Sequence, residues 1–534
     1  MRTTQIILSL VLILLQINFV EAEEPSSSSY HSTTDTLDIT YSSQLPLKKR
    51  TIEPFNLALF KLPYIKYQQL TLKLGADQEA RNEKWLQDVN QSSQDLNYKL
   101  NTSLYVNYNL SLNTERQQMD LNISSSSVVP FIKSIQESES VVIKSESQHI
   151  QSSFSLSGSM SKKRYFNNLF FVEINPSAWL SQIFMHKEVL NDYYYMDTPY
   201  ESSIIQNNFG INTNLKTGLG YGRIEIVTDA QMALYILNDL KKENRIEKEP
   251  SHSEIYELAE LISTIRTKRF FDTRHKLIAE VKAIDSLLLS QGIINQQDAT
   301  YFTTIYDNWR YAHNPSRLAG FRYAVGPLFS YYMLESKSER IEILSDTNEE
   351  TTSENKSISN QLGYGLYING SIEKPLNNKW QQSTQIKIEH LIQTNSSKNN
   401  TNPESIMRRN STFAQLQSGW GHYPNTRTYL NMGGAASWYN HRVTQNDSGY
   451  SMDDNLYFIN YFSVSVNLNG YYYFSPQFSI RFSSSFGYNH NNSDNMYNLP
   501  SPPLGWPADN TTSSRFYFND FFFDFSLSFL YGIL

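Results

Sequence analysis

The chain has 534 residues, no Cys, 36 Tyr and 29 Phe, and a formal net charge of -7. Without Cys there is no disulfide framework, no Cys-ligated zinc or iron–sulfur cluster and no thiol nucleophile, and the slight acidity leaves no basic footprint for nucleic acid. At roughly 100–200 residues per domain the length predicts about three domains, unless one large barrel takes most of it.

Residues 1–22 start with Arg2 as a positive n-region, run through an apolar stretch from Ile6 to Leu15 and end on Val20-Glu21-Ala22, the layout of a cleavable secretory signal peptide. That apolar core is short for a spanning helix, and no later stretch reaches the roughly 18 consecutive apolar residues a spanning helix needs. A mature chain that meets a membrane must therefore do so as a barrel. Residues 23–53, rich in Ser and Thr without periodicity, predict a flexible exported arm. Asn-x-Ser/Thr triplets such as Asn101-Thr102-Ser103 are expected by chance in so Asn- and Ser-rich a chain and carry no glycosylation expectation.

Between Leu96 and Leu112 the even positions are apolar except Thr102, while the odd ones, from Asn97 and Lys99 to Ser111, are polar except Tyr105. A period of two means a strand with one apolar face. The rhythm holds for about a dozen residues or more, against five or six in ordinary soluble strands. A strand crossing an outer membrane needs roughly 9–11 tilted residues in hydrocarbon, so length separates a barrel from a soluble sandwich. Further strands are expected at about 140–160, 164–177 and 203–222.

From Thr228 to about Ala312 the spacing becomes helical. Met232, Ala233, Ile236, Leu237 and Leu240 recur at three- and four-residue steps, as do Ile255, Leu258, Leu261, Ile262 and Ile265. Thr228 or Asp229 is placed to cap the first helix, and Ser251 with Glu254, after Pro250, makes a capping box for the second. A third helix is expected from Asp272 to Gln291, ended by Gly292, and a fourth from Asp298 to Tyr311.

The two-fold rhythm then returns at 320–337, 357–373, 379–394, 411–423, 427–443, 456–474, 478–491 and 515–533, giving about twelve strands. Residues 54–76 offer two more, so fourteen is the alternative count. Tight turns at Ser161–Lys163, Pro375–Asn378, Tyr423–Thr426 and Ser475–Gln477 fall on one side, as does the helical unit, by strand parity. The polar segments 114–139, 178–202, 338–356, 395–410, 444–455 and 492–514 fall on the other as long loops. Short turns face the periplasm in such barrels and long loops face outward.

The stretches Gly220–Leu240, Lys268–Leu288 and Asp298–Thr304 resemble uncharacterised, porin-like outer-membrane β-barrel proteins of Bacteroidetes-type bacteria that carry a helical insertion of this kind. The specific likeness covers about 90 residues. It implies an outer-membrane address in a Gram-negative bacterium and a periplasmic position for the helices; it supplies no catalytic residues. The chain end, with Phe521, Phe523, Phe525, Leu527, Phe529, Tyr531 and Ile533 on one face, resembles the aromatic closing strand read by barrel-insertion machinery, although Leu534 falls one residue out of phase.

No HExxH, GxSxG, Walker loop or dinucleotide fingerprint occurs, and the ten His residues are scattered. Gly218-Leu219-Gly220-Tyr221-Gly222 precedes a strand end and reads as an aid to tight strand packing. On the inward phase lie Lys99, Lys387, Glu389, Arg481 and Asp524, candidate lumen charges that either tune solute selectivity or pair to fill the space.

The expected fold is therefore an all-β transmembrane antiparallel barrel of about 12–14 strands. Its first part is 54–222, a helical periplasmic insertion of about four helices occupies 223–315, and its second part is 316–534. The expected function is a porin-like channel or a membrane scaffold, with outer-membrane lipid, the insertion machinery at the C-terminal strand and a periplasmic protein as partners. No enzyme activity, cofactor or metal is expected. The alternatives are an outer-membrane hydrolase and a secreted β-rich adhesin with a sandwich fold.

Overall fold

The computed structural model describes residues 55–61, 64–88, 91–138, 143–166, 169–193, 200–267, 273–294, 296–311, 317–344, 349–400, 404–447, 455–475, 478–498 and 511–531. The signal peptide and exported arm expected over 1–53 lie outside them, as does Leu534. A short 3-10 turn at Leu57–Leu59 precedes strands β1 (Ile65–Asp88), β2 (Gln91–Asn113), β3 (Gln117–Ser138), β4 (Ile143–Tyr165), β5 (Phe170–Tyr193) and β6 (Tyr200–Ile226). Helices α1 (Thr228–Lys242), α2 (His252–Thr267), α3 (Thr273–Ser290) and α4 (Ala299–Tyr311) follow. The chain returns as β7 (Leu318–Leu344), β8 (Glu349–Pro375), β9 (Trp380–Asn399), β10 (Ser405–Asn425), β11 (Thr428–Asp447), β12 (Asn455–Tyr473), β13 (Phe478–Asn498) and β14 (Thr511–Tyr531). All fourteen form one antiparallel sheet in sequence order.

The sheet curls upon itself. Tyr367 on β8 donates to Glu173 on β5 across 2.6 Å, and Gln118 on β3 reaches the carbonyl of Ile224 on β6 across 3.0 Å. Strands three apart in a flat sheet lie roughly 14 Å from one another, so such contacts form only on the concave face of a strongly curved one. This is the barrel class of fold. The concave phase is the polar one. The convex phase carries a band of exposed apolar residues: Phe321 to Tyr331 on β7, Leu362 to Ile372 on β8 and Phe462 to Tyr472 on β12. Each run covers eleven positions, the length a tilted strand spends in hydrocarbon. Near the short-turn rim the band ends in aromatic contacts, with Phe170, Phe321 and Tyr323 around Tyr221 at 4.9–5.9 Å and Trp380 stacked on His422 at 4.3 Å.

Four sequence expectations need correction. The count is fourteen, but the added strands are β1 and β3, not two within 54–76. The segment 114–139 is no long loop: a three-residue connection at 114–116 leads straight into β3. Ser161–Lys163 lies within β4, where Lys163 is buried and donates to Ser161 across 2.8 Å; the connection comes at 166–169. Most of 178–202, 338–356 and 395–410 is likewise strand, with β7 running to Leu344 and β8 starting at Glu349, whereas 448–454 and 499–510 lie outside the described residues. Their tips need no apolar face, because backbone ladders and cross-strand pairs such as Lys337–Glu354 at 3.2 Å and Lys356–Glu335 at 3.0 Å hold them.

Pro130, Pro176 and Pro327 sit in mid-strand, away from the strand ends where Pro375 and Pro424 lie. At Pro130 the β3–β4 ladder jumps from Val128↔Ser153 to Phe131↔Ile150. At Pro176 the β4–β5 ladder jumps from Ser159↔Ser177 to Lys162↔Ile174, and at Pro327 the β6–β7 ladder jumps from Lys216↔Leu328 to Leu219↔Val325. Lacking an N–H, each forfeits hydrogen bonds toward one neighbour. The ladder on its other side continues and carries the strand through.

The apolar core lies mainly in the helical unit, where Ile236, Leu240, Leu258, Ile262, Ile284 and Leu288 are fully buried together with Phe60 from the segment before β1. The capping box forms: Ser251 N–H donates to Glu254 Oε2 at 2.8 Å and Glu254 N–H to Ser251 Oγ at 3.3 Å. Neither Thr228 nor Asp229 caps α1, whose N-cap is Val227. Thr228 Oγ1 instead accepts from Arg317 N–H at 2.8 Å, and Asp229 accepts from Ser263 and Arg266 on α2. Gly292 ends α3 at φ +62°, a conformation other residues rarely adopt.

Candidate functional site in the barrel interior

The interior is crossed by a chain of polar contacts running from β5 to β10. Tyr367 bonds Glu173, Lys216 on β6 lies 5.9 Å from the Tyr367 ring centre, and Lys216 pairs with Glu389 on β9. Glu389 also pairs with Lys387 at 3.3 Å, and Lys387 stands 5.1 Å from the ring of Phe413 on β10. Beside it, Tyr165, Phe171, Ala324, Leu328 and Tyr367 form a buried cluster drawn from four strands. Small residues make room for it. A Cβ on Gly218 would collide with the Tyr367 hydroxyl and one on Gly220 with the Phe171 ring, so the glycine-rich stretch serves interior packing.

Of the sequence-predicted lumen charges, the structure brings Lys387 and Glu389 together. Lys99 lies opposite Glu79 in the β1–β2 register. Arg481 reaches the Tyr473 hydroxyl at 3.5 Å, and Asp524 accepts from Ser485 at 3.3 Å. Sequence reasoning missed Lys216, Glu173 and Tyr367. Lys216 had a usable signal, since it shares the polar phase of its strand with Asn212 and Asn214.

Toward the short-turn end two arginines anchor turns. Arg223 on β6 donates to the carbonyls of Glu115 and Thr114 at 2.7 and 2.8 Å, binding the β2–β3 turn from three strands away. Arg317 is fully buried and donates to the carbonyls of Asn377, Asn378 (2.6 Å) and Trp380 (2.8 Å) in the β8–β9 turn, while its guanidinium lies 5.2 Å from the ring of Tyr423.

The helical unit is fastened to the same rim. Tyr235 on α1 donates to the Tyr423 carbonyl at 2.6 Å, and burial pushes its hydroxyl up to about 12. Arg427 in the β10–β11 turn pairs with Asp307 on α4 and lies 4.6 Å from the ring of Tyr311, which in turn meets Tyr473 at 5.6 Å. Three consecutive short turns are thus held from below.

Within the unit, hydrogen bonds from Arg245 (3.1 and 2.6 Å) and from Tyr301 N–H hold the Asp298 carboxyl below its ordinary range. Lys248 and the Ser251 cap do the same for Glu254. A carboxyl with a depressed folded pKa adds stability above its unfolded pKa and loses it as pH falls through the folded value. Acidification through and below about pH 4 is therefore expected to weaken the helical unit. In Arg245→Gln, stability at neutral pH should fall and the acid dependence flatten, as read from helical circular dichroism; an unchanged acid profile refutes the assignment.

Among the described residues no group of three His, Asp or Glu is placed to hold a metal ion. Ser203 Oγ lies 3.3 Å from His186 Nε2, but Glu188 approaches that same nitrogen at 3.4 Å. A relay needs the carboxylate on the other ring nitrogen.

No protein-family model matches the chain, and no curated protein is significantly similar to it. Among solved structures it is similar to the translocator domain of autotransporter NalP from Neisseria meningitidis, at 9% identity over 77% of this chain and 88% of that one, with a TM-score of 0.18. It is also similar to the Pseudomonas putida toluene transporter TodX, at 9% identity over 84% of this chain and 94% of that one, with a TM-score of 0.24. At such identities and TM-scores these likenesses say nothing of the chain's activity.

Proposed function

We propose that the chain is an outer-membrane β-barrel that serves as a membrane-embedded scaffold, its interior braced by side chains and its short-turn end covered by the helical unit on the periplasmic side. The band of exposed apolar residues, eleven positions long on β7, β8 and β12, supports the membrane address. The Gram-negative, Bacteroidetes-type setting rests on the resemblance of the helical segment alone. Scaffold is preferred over pore on one observation: the helical unit is fastened across three consecutive short turns, to β8–β9 through Arg317, to β10–β11 through Tyr235 and the Arg427–Asp307 pair, and to β12–β13 through the Tyr311–Tyr473 contact. Barrels of 16–18 strands leave an aqueous channel and those of about eight are filled, so in a fourteen-stranded one such fastening decides. Purified full-length protein in planar bilayers is expected to give no conductance steps above the lipid background; discrete steps favour the channel and sink the scaffold.

A periplasmic protein is the proposed partner of the helical unit, which exposes Ile278, Leu289 and Phe302 at 56%, 46% and 39%. Cross-linking in cell envelopes should capture a partner that the double variant Ile278→Ser, Leu289→Ser no longer captures. Equal capture by that variant refutes this surface.

A further inference from the structure

The sheet has two edges. Among the described residues no ladder joins β1 to β14, and Leu70, Leu72 and Leu74 on β1 are 70%, 63% and 77% exposed, as Phe521, Phe523 and Phe525 on β14 are 68%, 66% and 60% exposed. Water can satisfy the N–H and C=O groups of such an edge, but hydrocarbon cannot, and each unsatisfied group there costs several kcal/mol. On the membrane reading proposed above, on which this inference rests, both edges must therefore be covered. The first and last strands of an even-numbered antiparallel sheet run in opposite directions, and each presents its apolar residues on the convex face.

We propose that β1 and β14 pair with each other in one register, Leu70 opposite Leu527 and Lys73 opposite Asp524, closing the barrel with a stagger of fourteen residues. Three observations select it. Followed straight across the sheet along cross-strand partners, Leu70 leads through Tyr108 on β2, Tyr331 on β7 and Met496 on β13 to Ser513 on β14. Leu527 lies fourteen positions beyond Ser513. A stagger equal to the number of strands corresponds to a tilt of about 36°, as in the eight-stranded barrel of shear 8, and membrane barrels tilt by about 35–45°. Second, the same register sets Leu72 against Phe525 and Leu74 against Phe523, so the apolar bands of the two edges coincide. Third, it joins the concave cation Lys73 to the concave anion Asp524, and shifting it by two positions sets Lys73 against Phe522 or Ser526 instead. It also sets Asp77 opposite Asp520, a like-charge contact whose relief by Asp77→Asn should stabilise the closed barrel.

A chain without Cys makes the test direct. The double variant Thr71→Cys, Ser526→Cys is oxidised in the full-length protein in membranes, beside controls pairing Thr71→Cys with Ser528→Cys and with Asp524→Cys. Directly opposed positions bring Cβ atoms within disulfide range and positions two along do not, so the 71/526 pair should form an intramolecular disulfide about tenfold faster than either control. A control that links in preference overturns the register, and failure of all three overturns self-closure. Disulfide-linked dimers would mean that a second copy covers the edges. A reduced protein that carbonate strips from the membrane refutes the membrane reading itself. One that stays in the membrane and links out of register refutes only this inference.

Discussion

Replacing Arg317 with Met is expected to release the helical unit from the strands while leaving the sheet in place. The guanidinium is fully buried, faces no carboxylate in its immediate bonding, and directs its two terminal nitrogens to three carbonyls of a single turn. Trp380 O keeps other donors, from Leu376 and Asn377 N–H, and Asn378 O keeps a 3.4 Å contact from Gln231. The carbonyl of Asn377 loses its charged donor, and the loss of that bond, of the fork and of the stacking on Tyr423 together should cost about 2–4 kcal/mol. Lys should not rescue it, because a point charge on a flexible stem cannot serve three acceptors spaced by a planar fork. The measurement is hydrogen exchange. Protection of α1 and of residues 376–379 should fall in Arg317→Met, while mid-strand amides of β7 and β8 keep theirs. Unchanged protection of α1 would show that the junction is held elsewhere.

How far the sequence announces this architecture depends on where apolar groups face. β2, β8 and β12 are plain in the sequence because their convex residues are almost all apolar over eleven or more positions. β3 is obscured although its convex positions include Met119, Leu121, Ile123 and Phe131, because Ser125 and Ser127 interrupt them and Pro130 suggests a break. β1 offers only Leu70, Leu72 and Leu74 before charged residues set in. The strand extensions on the long-loop side are invisible for another reason: polar on both faces, they are held by backbone pairing, which leaves no hydropathy signal. The helices are legible because their burial is one-sided and strong. Interior braces are half legible. Strand phase identifies Lys387 and Glu389 as inward, but only the curvature of the sheet reveals that Lys216, three strands away, completes the pair. Arg223 and Arg317 sit at strand ends, where periodicity stops assigning a face.

That pair carries the second large effect. Glu389 pairs with both Lys216 and Lys387, and its side chain is 18% exposed beside a Lys216 at 25%. In Glu389→Ala the two cations are left facing each other on the concave surface, and removing one partner of a half-buried pair costs more than the pair contributes, about 2–3 kcal/mol. The double variant Lys216→Met, Glu389→Leu replaces the charges with apolar groups of similar size and should recover most of that loss, since pairing and desolvation nearly cancel. A double-mutant cycle on denaturant or heat unfolding is therefore expected to show a coupling of about 1–3 kcal/mol between positions 216 and 389. The same variants separate a brace from a selectivity device. If the charges serve to hold strands together, Glu389→Ala lowers stability and the double variant behaves like the parent in planar bilayers. Should Glu389→Ala instead leave stability unchanged and raise anion conductance, Lys216 and Lys387 line a pathway and the scaffold reading gives way to a channel.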